Sequence, residues 1–292
     1  MPGGDLLTVW GAGSDELAAD TQILASRRNA AGGEWSSPVV VADRPGFADA
    51  NPVLFVDPDG GVSLFHVEMF GDSFCLGRVV VRTSSDAGRT FGPPRQAFDA
   101  VCTMVRNHPI VTRSGRWVLP AYQQAIYQSQ FWTSDDAGQS WQATPPLLTL
   151  GNNNLQPAVV ELADGSLFAL MRSAGGRGAA WEGRSTDCGR SWRLAERPDL
   201  PNPNSGLELI RLSTGELLLF HNPDQRLRTP LSVSLSSDDG RSWASPRTIE
   251  DGPPQLSYPS AIQARDGTIH VVYSRRLERI QHAEFNLGWL GR

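Results

Sequence analysis

Lysine is absent: all 26 basic residues of the 292-residue chain are arginine. That excludes every chemistry built on a lysine, including a Walker A phosphate loop, a pyridoxal Schiff base, a lysine aldolase and a serine–lysine hydrolase. Arginine is the side chain suited to bidentate capture of carboxylates, although coding bias alone would give the same count. Cysteine is scarce. Cys75, Cys102 and Cys188 are far apart and odd in number, and suggest neither a metal knuckle nor a disulfide framework. The five histidines form no His-Glu-x-x-His element. No apolar run approaches the ~18 residues of a membrane span, and no segment has the pattern of a twelve-residue amphipathic helix. The net charge of −5 leaves no basic stripe to neutralise phosphates. The expectation is therefore no cofactor, no metal, no nucleic acid and no membrane. Met1 to Asp5 leads directly into a strand-like run, with no signal peptide visible. Either the chain is cytosolic, or it begins after its true start and is secreted.

What is present is repetition. Ser84-x-Asp86-x-Gly88-x-Thr90-Phe91 returns as Ser134 to Trp141, Ser185 to Trp192 and Ser236 to Trp243, with a decayed copy at Ser26 to Trp35. A second series, out of phase with the first, places a glycine turn before an apolar strand at Gly4, Gly60, Gly115, Gly165, Gly215 and Gly267. Glycine suits such hairpin turns because they need positive φ. The runs between turns, such as Leu217 to Phe220 and Ile269 to Tyr273, are read as period-two strands. Units of about fifty residues, each a few strands with one aromatic, describe β-propeller blades. Six glycine turns predict an all-β, six-bladed propeller over residues 1–292 as one domain. Its first blade would lack the innermost strand. Four copies of the Asp turn cannot all be one active site. Each Asp is expected to hold its own turn, and each aromatic to plug its blade.

A ligand site in a propeller would be fed by the starts of the innermost strands. Those read Asn51-Pro52, Arg106-Asn107-His108-Pro109, Gln156-Pro157, Asn204 to Glu208 and Tyr258-Pro259-Ser260. Proline can simply start a strand, but polar residues beside it at five equivalent places are also what a lined channel would carry. The Asp-box repeats, the six-blade count, the stretch Tyr258 to Tyr273, and segments such as Gln156-Pro-Ala-Val-Val and Pro201-Asn-Pro-Asn-Ser-Gly-Leu207 together resemble the sialidase (neuraminidase) superfamily. Within it, the chain is similar to bacterial sialidase-like proteins with BNR (Asp-box) repeats.

That resemblance implies a retaining exo-glycoside hydrolase that releases a terminal acidic sugar, a sialic or related ulosonic acid. The anomeric carbon of such a sugar carries a carboxylate, and these enzymes use tyrosine where other retaining glycosidases use a carboxylate. By the resemblance Tyr258 is the nucleophile, Glu16 (with Asp15 beside it) the acid/base, and Arg172 and Arg228 clamp the carboxylate, with Arg226 a competitor for Arg228. Gln156 stands where the family places the glutamate that activates tyrosine, and Glu208 is the candidate substitute. No Arg-Ile-Pro strand supplies a first clamp arginine; Arg106, Arg275, Arg276 and Arg279 are possible replacements. Asn51 and Gln156 complete the expected lining. The expected partner is a carbohydrate, met by a monomer. Two other readings stay open: a glycosidase or lyase for another polysaccharide, and a non-catalytic carbohydrate-binding propeller.

Overall fold

The computed structural model describes residues 1, 3–149, 153–252 and 254–291, and all regular structure among them is β-strand. Contacts divide the chain into two compact units, Met1–Ile126 with Trp132–Ala143, and Tyr127–Phe131 with Thr144–Arg292.

In the first unit, β1 (Leu6–Ala12), β2 (Gln22–Arg28) and β3 (Val39–Ala42) form one antiparallel sheet. A second has β4 (Asp49–Val56), β5 (Val62–Met69), β6 (Gly77–Ser84) and β7 (Arg95–Gln96) in chain order. The short β8 (Thr103–Val105) and β9 (Ile110–Val111) both pair with β10 (Trp117–Gln123). The outer end of β11 (Gln128–Ser134) takes β12 (Gln142–Ala143). In the second unit, Gln128 pairs in parallel with Asn154 at one edge of β13 (Asn153–Glu161). From there β14 (Leu167–Ala174), β15 (Ala179–Ser185) and β16 (Arg193–Pro201) follow in order. Next come β17 (Glu208–Arg211), β18 (Leu217–His221), β19 (Leu231–Ser236) and β20 (Arg247–Glu250), then β21 (Leu256–Gln263), β22 (Ile269–Arg275) and β23 (Arg279–Phe285). Strand β17 lies beside β13 and also beside β21.

All six predicted glycine turns adopt the left-handed conformation, with φ from +83° at Gly115 to +105° at Gly215. The repeated Asp turns close as predicted. Asp136 accepts from the Ser134 hydroxyl (2.7 Å), the Ser140 amide (2.8 Å) and the Ser140 hydroxyl (2.5 Å), and the other three copies match it. The residue before each glycine, Ala87, Ala137, Cys188 or Asp239, is also left-handed, which the pattern of the repeat does not betray. At Gly240 any side chain is barred, because a Cβ would sit 2.5 Å from the ring of Phe168. Arginines then cap the turns: Arg27 donates to the carbonyl of Ala87, Arg95 to Gly138, Arg184 to Asp239 and Arg197 to Gly240. A guanidinium has five donors in a fixed fork, so it can hold a carboxylate and such a carbonyl together. Arg197 does so with Glu182, Asp199 and Gly240.

Two expectations are corrected. The run Leu217 to Phe220 does not alternate between core and solvent. Leu217 and Leu219 join the apolar cluster of Phe168 and Leu170, whereas Leu218 and Phe220 join that of Val271 and Tyr273. Both faces of β18 are therefore buried, each leucine contributing about 1.5–3 kcal/mol of hydrophobic stabilisation. Cysteine also pairs after all: Cys75 and Cys102 form a disulfide across 27 residues, leaving Cys188 free. Spacing did not reveal it because the bond joins the loop after β5 to the segment entering β8, a juxtaposition that only folding creates.

Candidate functional site

Three strands, β4, β13 and β21, share one backbone device. Asn51, Gln156 and Tyr258 each precede proline and have φ of 50°, 51° and 55°. Each also sits where the ladder slips register, between Ala50 and Val53, Leu155 and Ala158, and Ser257 and Ser260. A left-handed non-glycine residue costs roughly 1–2 kcal/mol, and bulges of this kind re-aim a side chain. Each thus carries backbone strain at a register slip, on a residue already singled out for its chemistry.

In the second unit these residues meet two arginines. Arg172, at the end of β14, donates through Nε to Asn204 Oδ1 (2.7 Å) and through Nη1 to Gln156 Oε1 (3.1 Å). Arg228, just before β19, donates through Nη2 to the Asn204 carbonyl (2.7 Å) and through Nη1 to Gln255 Oε1 (3.3 Å). Its guanidinium carbon lies 5.7 Å from the centroid of the Tyr258 ring. All these acceptors are neutral. Both arginines are half-buried, and among the described residues neither is paired with a carboxylate. Two positive charges so placed, already partly dehydrated and held in a fixed fork, suit an incoming anion. Glu208, at the start of β17, is 3% exposed and accepts from the Leu209 amide through Oε1.

Arg226 is exposed, and its backbone amide is taken by Asp224 (2.6 Å), so Arg228 is the one of the pair beside Tyr258. Arg275, one of the replacements considered for a first clamp, is committed to Glu250 (2.7 Å). The remaining predicted residues belong to the first unit. Glu16 is exposed in the loop between β1 and β2, which Asp20 pins by accepting from Ser14. Asn51 donates to the Val105 carbonyl (2.9 Å) and the Tyr122 hydroxyl (3.2 Å). Arg106 donates to its neighbour Asn107. Sequence reasoning missed Asn204 and Gln255 as anchors of the arginines. Their φ values of 57° and 70° are both left-handed, and asparagine's tolerance of that conformation was the available signal.

The first unit also buries Asp49, His66 and Glu68 together. Arg82 Nε donates to His66 Nε2 (3.1 Å), which places the imidazole proton on Nδ1, 3.1 Å from Asp49 Oδ1. Arg78 donates twice to Glu68 Oε2. Two guanidinium groups thus neutralise the cluster, and it reads as an ion-pair network rather than a metal centre.

The chain is 27% identical to a sialidase of Micromonospora viridifaciens over 99% of its own length and 50% of that protein, so it spans about half of this curated relative. Its fold is similar to the intramolecular trans-sialidase of Ruminococcus gnavus, solved with oseltamivir carboxylate (TM-score 0.79, 14% identity, 99% of this chain and 93% of that one). It is likewise similar to the NanB sialidase of Streptococcus pneumoniae (TM-score 0.80, 13% identity, 98% and 67%). The model of the BNR repeat-like domain matches residues 4–271. All-β, built on repeats and carrying an arginine pair of which one member lies beside a strained tyrosine, the chain belongs to the BNR repeat-like domain family within the sialidase-like superfamily.

Proposed function

We propose that this chain is a retaining exo-glycoside hydrolase of sialidase type that releases a terminal acidic sugar, on a six-bladed β-propeller formed by residues 1–292. The blade count rests on the six glycine turns and the Asp-box period of about fifty residues. The function rests on one observation: Arg172 and Arg228, neither with a carboxylate partner among the described residues, are tied through Asn204, and Arg228 faces the Tyr258 ring. A sugar carboxylate would bind across the two guanidinium groups. Arg226 and Gln156 would line the rest of the site.

Tyr258 Oη would then attack the anomeric carbon. A phenol suits this carbon better than a carboxylate would, because the carboxylate attached to it repels an anionic nucleophile. Glu208 takes the phenolic proton as the bond forms, and a general acid gives a proton to the departing glycosidic oxygen. In the second half, water attacks the same carbon and passes its proton to that same acid/base group, while Tyr258 leaves and recovers its proton from Glu208. Configuration is retained over the two displacements.

The expected outcome is slow turnover of a fluorogenic aryl sialoside, reduced ~10²-fold or more in Tyr258→Phe. Wild-type rates equal to buffer would overturn it. A second reading, a non-catalytic carbohydrate-binding propeller, is favoured by Gln156, whose amide cannot serve as a base and accepts from Arg172. Binding of an acidic sugar with no turnover of any aryl glycoside, uronic and neutral sugars included, would select it. Turnover of a non-sialoside in that screen would point instead to a glycosidase for another polysaccharide.

A further inference from the structure

The last sheet carries a second cluster, on strands β22 and β23. His270 on β22 lies opposite Glu284 on β23, and His282 sits two residues before Glu284, on the same face. His270 Nδ1 is 3.1 Å from His282 Nε2 and 3.5 Å from Glu284 Oε2, and the ligand atoms of all three lie within 4.8 Å of one another. Four ligands at ~2.05 Å around a tetrahedral ion stand roughly 3.3 Å apart. The two closer separations match that edge, and a small rotation of the half-exposed Glu284 brings in the third.

We propose that His270, His282 and Glu284 form a divalent transition-metal site, best suited to zinc. Two imidazoles and one carboxylate select a borderline-soft ion over magnesium or calcium, which take oxygen ligands. Each imidazole binds through the nitrogen that now faces its neighbour and keeps its proton on the other. The fourth position opens to solvent beside Glu284, which is 47% exposed.

The site is separate from the arginine pair. His270 pairs with Ile262 and Ser274 with Ser257, so His270 and Tyr258 sit toward opposite ends of the sheet, about 13 Å apart along the strands. Its role follows from its place. β23 closes the sheet order β21-β22-β23, and a metal held by one ligand from β22 and two from β23 staples that outer strand.

The full chain, freed of metal by a chelator and dialysed, is titrated with zinc chloride in a calorimeter and with cobalt(II) in a spectrophotometer. Expected are one zinc per chain, an intense visible cobalt band typical of low coordination number, and a higher melting temperature in zinc. His282→Ala, and separately Glu284→Gln at a half-exposed position, weaken zinc binding ~10²-fold or more and abolish the melting shift. Aryl-sialoside turnover is unchanged in both variants, which separates this site from the proposed hydrolase. No stoichiometric zinc binding, or binding that persists unweakened in both variants, overturns the proposal.

Discussion

Asn204 does two jobs with one residue: its side chain holds Arg172 and its backbone carbonyl holds Arg228. The family resemblance pointed to Tyr258, Arg172 and Arg228, and a strand start to Asn204. That Asn204 holds both arginines and Gln255 holds Arg228 was not legible, since it depends on left-handed backbone that carries no periodic signal. His221 lies buried at the end of β18. Burial holds its imidazole down to about 4, opposed only in part by the Pro201 carbonyl. Unfolded, the same group titrates near ~6.5. Between those values the unfolded chain binds a proton that the native one refuses, so stability is full above ~6.5 and falls as pH drops toward 4. The difference amounts to about 3 kcal/mol. Urea unfolding at pH 7, 5 and 4 should show this decline in wild type and a flatter profile in His221→Gln. Equal slopes would rule out His221 as the source.

At the scale of the element, the Asp turn is the most regular feature of the molecule. The Ser140 hydroxyl and amide, with Ser134, hold Asp136 at about 2, and Ser242 does the same for Asp238. Asp187 is also held at about 2, burial pushing it upward and the bonds from Ser191 and Ser185 prevailing. These pKa values lie below those of the unfolded chain, so the stabilisation is present above ~4 and is lost as pH falls through 2. Melting temperatures should therefore drop between pH 4 and pH 2. Asp136→Asn should melt lower than wild type at pH 7 but lose less on acidification. An unchanged acid limb in that variant would mean that other carboxylates govern it. The strands were legible as elements, but their faces were not. Leu217 to Phe220 reads as one apolar run, and which cluster each residue joins depends on sheets packed against both sides.

Across the whole molecule, the absence of lysine acquires a structural counterpart. Arginines hold turn carbonyls and carboxylates together, as Arg197 does, and two more form the anion-suited pair beside Tyr258. Acetylation with an amine-reactive ester should therefore add at most one group per chain, at the α-amino nitrogen, and leave aryl-sialoside turnover unchanged. Intact mass and a rate measurement check both halves, and a loss of turnover would place an amine in the chemistry. By itself the sequence determined the all-β class, the spacing of the turns and the chemistry they carry, because glycine turns, Asp turns and strand patterns are local and repeat. Only the tertiary structure decided which arginine faces Tyr258, that Cys75 meets Cys102, and that His270 meets His282 and Glu284. No motif search for His-Glu-x-x-His finds that last cluster, because its ligands are split between two strands. Those pairings depend on strand register and loop closure, which no short window of residues contains.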